Sequence, residues 1–248
     1  MMIGVRIREE ENEYFLMEAV PIEEYLKNFP KLFKLFKKSF NYLPTLEGKN
    51  IYIEPFSCLI SRNSLVLGYT RRDNEKENVW YIGFKHHPPD EITFLHELIH
   101  VAGGDELSSY NYAILLYYAI QKNLPPFNLL DLLKIDLETL NKVMNKCGFK
   151  NIEDFFEFMG ILPTTICYFD YLSGRIRLRK DVDEFTIVQN TIAEISGGLA
   201  VWYEFMSSGE CQSIECRVFE ELAKYLANKN QINKEDYEGS RGSEEKEV

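Results

Sequence analysis

Residues 79–106 read VWYIGFKHHPPDEITFLHELIHVAGGDE, and the rest of the chain is best read outward from them. Val79–Phe84 is a run of aromatic and β-branched residues, the composition of a strand. His86-His87-Pro88-Pro89 follows as a stiff connector. Asp90 then stands after two prolines and before an apolar-periodic run, the position of a helix N-cap, and Glu91 adds an acidic side chain to the first turn. Ile92, Leu95, Ile99 and Ala102 form the apolar side of this helix, and Gly103-Gly104 ends it. A second helix is expected from about Asp105 or Glu106 to Gln121, ahead of Pro125-Pro126.

On the N-terminal side, Tyr14–Val20 suggests a short strand or a lead-in to a helix. Pro21 opens a helix towards Phe40 that should kink or break at Pro30. Ile51–Phe56 alternates as a strand does. Cys58–Ser61 and Leu65–Tyr69 flank Arg62-Asn63-Ser64 as a hairpin would, and Arg71–Asn78 reads as a charged loop. Beyond Phe127 the pattern is helical over 127–147, 151–159, about 181–207 and about 213–228, with a hairpin around Gly174. The polar tail from Asn228 is expected to be mobile. The expected class is α+β, a small mixed or antiparallel sheet with its helices followed by a helical part. The expected division is 1–125, 126–230 and a charged tail at 231–248.

Composition narrows the partners. The chain has 248 residues and a formal net charge of −11, which disfavours a phosphate backbone as ligand, so no nucleic-acid partner is expected. Lys27, Lys31, Lys34, Lys37 and Lys38 alternate with Leu32, Phe33, Leu35 and Phe36 at helical spacing, which we read as a surface helix resting on the core rather than a membrane helix. Met1–Arg8 has no apolar signal-peptide core, and no apolar run approaches the ~18 residues of a membrane span. Five irregularly spaced cysteines, at 58, 147, 167, 211 and 216, are expected to be reduced thiols, which points to the cytoplasm, although Cys211 and Cys216 could pair in an oxidising site.

The chemistry lies in His96-Glu97-Leu98-Ile99-His100. Positions i and i+4 are neighbours on one helix face, so two imidazoles at this spacing can bind one metal ion. Glu97, about 100° further round the helix, flanks such a metal instead of binding it, where a carboxylate can take a proton from an activated water. All four histidines of the chain fall between positions 86 and 100. Without a metal these residues would serve only to cap or pack a helix.

This segment resembles the active-site helix of the zincin metallopeptidases. The likeness covers roughly residues 50–122 and implies a zincin-like fold, a zinc ion, a peptide or protein substrate, and Glu97 as catalytic base. It also implies that Val79–Phe84 is the strand at the cleft rim, pairing with an extended substrate. In the spacing H-E-x-x-H-x-x-G-x-x-E, Gly103 and Glu106 stand where metzincins have their glycine and third histidine, while a glutamate is the ligand type of gluzincins. The departure from both patterns leaves the third ligand open: Glu106 first, Asp105 next, Glu194 as a distant option. Peptide deformylases suggest another arrangement through Cys58, although their glycine-rich N-terminal motif is missing. Tyr110, one turn after Glu106, is the candidate donor opposite the metal; Tyr112, His86 and His87 are weaker ones. The resemblance also admits a zincin-like binding or latent protein without proteolytic activity, or a metal-dependent amidase.

Overall fold

The computed structural model describes residues 7–10, 13–16, 18–56, 66–205 and 212–244. The class is mixed α+β, and the chain separates into two compact units, Met1–Lys122 and Asn123–Val248.

In the first unit, β1 (Ile7–Glu10) and β2 (Glu13–Leu16) pair antiparallel. Then come β3 (Val20–Pro21), α1 (Ile22–Leu26) and α2 (Pro30–Ser39). Pro30 breaks the helix as its missing N–H requires, and it restarts the chain as the first residue of α2. Leu32, Leu35 and Phe36 of α2 are buried while Lys31, Lys34 and Lys37 are exposed, so α2 is a surface helix. After β4 (Asn50–Glu54), β5 (Gly68–Arg72) and β6 (Val79–Phe84) come α3 (Glu91–Ala102) and α4 (Glu106–Lys122).

The four-stranded sheet has the order β3-β4-β6-β5, with β4 and β6 parallel and the outer pairs antiparallel. Alternation puts Ile51, Ile53, Ile82 and Phe84 on one face, all buried, and Phe84 meets Phe94 of α3 at 6.1 Å between ring centroids. On the other face Arg71 forks onto Glu54 and lies over the ring of Tyr81. α3 buries seven of its twelve residues and packs against α2, α4 and β5.

This topology corrects the rim strand. β6 is hydrogen-bonded on both sides and has no edge left to offer a peptide; among the described residues β5 is the outer strand on this side of the sheet. β6 is rich in aromatic and β-branched residues because it is interior, whereas β5 carries Thr70, Arg71 and Arg72, as exposed edges do. The segment read as a loop from Arg71 belongs to β5 as far as Arg72. Cys58–Ser61 and the turn after it lie outside the described residues.

The second unit holds a 3-10 turn (Leu129–Lys134), α5 (Leu137–Lys146), α6 (Ile152–Met159), the hairpin of β7 (Cys167–Asp170) and β8 (Arg175–Leu178), α7 (Glu184–Phe205) and α8 (Ile214–Glu244). α8 runs well past Asn228: the stretch has no proline, and extending a helix that has already nucleated costs little. Cys147 and Cys167 are free and buried, but Cys216 is disulfide-bonded, which overturns the expectation of reduced thiols at that position. Among the described residues no helix is long and apolar enough to cross a membrane.

Candidate metal centre

α3 is fixed at both ends. Asp90 accepts hydrogen bonds from the Thr93 backbone N–H (2.9 Å) and from the Thr93 hydroxyl (2.6 Å). The last four carbonyls of a helix have no intrahelical partner. Here Gly104 N–H donates to Ile99, Gly103 N–H to His100, the Lys49 ammonium to Val101 and the Thr45 hydroxyl to Ala102. Gly103 adopts φ 110°, a left-handed conformation that suits glycine. A Cβ on Gly104 would lie 2.5 Å from Ile99 Cγ2, so the chain passes this close to α3 only because the residue is glycine. The exit turn brings the start of α4 back beside His96 and His100.

Three side chains converge as a result. His96 Nε2 and His100 Nε2 are 3.1 Å apart; Glu106 Oε1 is 3.5 Å from the first and Oε2 is 3.1 Å from the second. Ligands about 2.05 Å from a tetrahedral zinc ion are separated from one another by roughly 3.3 Å, so the spacing suits one small cation. Among the described residues this is the one group of three His, Cys, Asp or Glu side chains close enough to share an ion.

Hydrogen bonding orients His100. Its Nδ1 lies 3.0 Å from the Gly104 carbonyl, which can only accept, so Nδ1 carries the proton and Nε2 presents its lone pair. Ser109 Oγ sits 3.2 Å from the same Nδ1. The Nε2 lone pair therefore faces the Glu106 carboxylate, an acceptor–acceptor contact that a cation between them would relieve. Burial lowers the pKa of His96, as does the neighbouring His100, while Glu106 opposes them; the neutral form favoured is the one that ligates. The two imidazoles are largely covered and Glu106 is 83% exposed, so the cluster opens to solvent on the Glu106 side.

Glu97 is 3% exposed. Burial pushes its carboxyl up to about 7, against the opposing pull of the Thr70 hydrogen bond. Thr70 Oγ1 donates to Glu97 Oε2 at 2.7 Å and also lies 3.2 Å from the Glu97 carbonyl. A Cβ on Gly68 would fall 2.7 Å from Glu97 Oε1, so the absence of a side chain there makes room for the carboxylate. Thr70 and Gly68 are contributions of β5 that the sequence reading missed; a Gly-x-Thr in a polar edge strand was the available signal.

Asp105 is occupied in capping α4, accepting from Ser108 N–H (2.8 Å) and the Ser108 hydroxyl (2.6 Å). Glu194 belongs to α7 in the second unit, and Cys58 lies outside the described residues. Tyr110 is one turn beyond Glu106 and 73% exposed, with no hydrogen bond to the three clustered residues, while Tyr112 is buried. The His87 ring accepts from, or donates to, the Tyr25 hydroxyl at 2.8 Å and packs edge-on to Phe84, a structural position; burial lowers its pKa to about 4. His86 is exposed.

Comparison with protein-family models, with curated proteins and with solved structures returns no match.

Proposed function

We propose that this chain is a zinc-dependent hydrolase of zincin-like fold that cleaves peptide bonds, with His96, His100 and Glu106 as metal ligands and Glu97 as general base. The observation carrying the reading is the convergence of two imidazole nitrogens and a carboxylate at 3.1–3.5 Å, beside a buried carboxylate one residue from the first imidazole. Zinc held by these residues supplies Lewis acidity, which polarises a carbonyl and makes water nucleophilic near neutral pH.

The protein groups divide the remaining work. Thr70 holds Oε2 of Glu97, which fixes the plane of the carboxylate. Oε1 accepts no hydrogen bond among the described residues and is the oxygen to take a proton from water and return it to the leaving amine. A carboxyl poised near neutrality suits both transfers. Gly104 and Ser109 keep His100 in its ligating tautomer. The edge of β5 that no other described strand covers, on the strand that carries Thr70, is the proposed seat of an extended peptide.

The test measures metal content and hydrolysis of an unstructured protein by the wild type and by Glu97→Gln. The wild type should hold one zinc per chain and lose activity to a chelator. Glu97→Gln should retain the metal while turnover falls by about 10²-fold or more. Normal cleavage by Glu97→Gln would remove Glu97 as the base. A zinc-loaded but inert wild type would favour a binding or latent protein instead.

A further inference from the structure

Gly68, Thr70 and Arg72 alternate on one face of β5, the face turned to α3 and Glu97, while Tyr69 and Arg71 take the other. The two arginines differ in their partners. Arg71 is matched by a bidentate contact to Glu54 at 2.7 and 2.6 Å. The Arg72 side chain is exposed and makes no ion pair or hydrogen bond among the described residues. It stands opposite Trp80 in the β5–β6 register, and the Lys49 ammonium lies over that indole while donating to the Val101 carbonyl. Lys49 and Arg72 are therefore two neighbouring cations beside the last turn of α3. Burial and the Arg72 charge both lower the Lys49 pKa, and no carboxylate contributes to offset them. The chain carries a net charge of −11, yet among the described residues no carboxylate pairs with either cation.

We propose that Arg72, with Lys49 behind it, receives a carboxylate of the bound peptide, so that the site selects an acidic substrate. This rests on the peptidase reading above. Arg72 is two residues along β5 from Thr70, about 6.6 Å. A peptide paired with the β5 edge would thus carry its carboxylate roughly two residues from the bond beside Glu97. The carboxylate belongs either to an Asp or Glu side chain or to the substrate's C-terminus.

The experiment uses the full chain, zinc-loaded, in the Glu97→Gln background, and measures peptide binding by fluorescence anisotropy. Otherwise neutral extended peptides carry one Glu stepped through each position, with Gln controls, and each is made with a free and an amidated C-terminus. The expected result is a preference of about fivefold for the carboxylate at one position or at the free terminus, lost as salt rises. Arg72→Ala should bring the ratio of affinities to about one, and Arg72→Glu should turn it towards a Lys-containing peptide. Which peptide series shows the preference tells side chain from terminus. Peptides bound with equal affinity, or a preference kept by Arg72→Ala, would overturn the carboxylate assignment alone. Failure to bind any peptide, together with failure of the wild type to cleave one, would overturn the peptidase reading and this inference with it.

Discussion

Replacing Thr70 with valine tests how Glu97 is held. The change keeps shape and strand propensity and deletes one hydroxyl. That hydroxyl donates at 2.7 Å to a carboxylate that is 3% exposed. A hydrogen bond to a charged group contributes about 1.5–3 kcal/mol, and here no water-exposed surface replaces it, so Thr70→Val should cost about 2 kcal/mol at pH 8. The same change removes a force that holds the Glu97 pKa down, so the carboxyl rises above its already elevated value. The cost should therefore shrink as the pH falls and Glu97 protonates in both proteins. Urea unfolding of zinc-free wild type, Thr70→Val, Glu97→Gln and the double variant forms a cycle. In the Gln background the bond is neutral, and the same substitution should cost about 1 kcal/mol. A Thr70→Val cost below about 0.5 kcal/mol, equal in both backgrounds, would refute the claim that Thr70 holds the Glu97 carboxylate.

Metal removal should be visible in stability. At zinc a thousandfold above its dissociation constant, binding adds about 4 kcal/mol, which for a chain of this size raises Tm by about 10 °C; calorimetry with and without a chelator reads it, and Glu106→Ala should shrink the difference. His87 predicts an acid-side loss of stability. Its folded pKa of about 4 lies below the ordinary 6.5, so between those values the unfolded chain binds more protons and stability falls as the pH drops. With allowance for its partial exposure, the loss is about 2 kcal/mol by pH 4; His87→Gln, which can still pair with Tyr25, should flatten the slope of unfolding free energy against pH over this window.

The sequence by itself determined what depends on near neighbours in the chain. Asp90 as cap, Gly103 as stop, and His96, Glu97 and His100 on one helix follow from the 3.6-residue period and the turn chemistry of glycine. Even Glu106, six residues past His100, was within reach, since the Gly103-Gly104 exit is local. Only the tertiary structure decided which strand is outermost. Strand partners are set by sheet topology, and nothing within six residues of Val79–Phe84 says that β4 and β5 cover both of its edges. Its apolar character is the mark of an interior strand and not of the rim strand that the resemblance implied, and Arg71 and Arg72, read as the start of a loop, belong to the outer strand β5. Thr70, Gly68 and Arg72 lie more than twenty residues from Glu97 in sequence and reach its neighbourhood only because β5 packs against α3. The H-E-x-x-H segment was therefore legible as a one-dimensional pattern. The groups that hold Glu97, and the basic pair beside it, were not, because the contacts that create them exist only after the chain has folded.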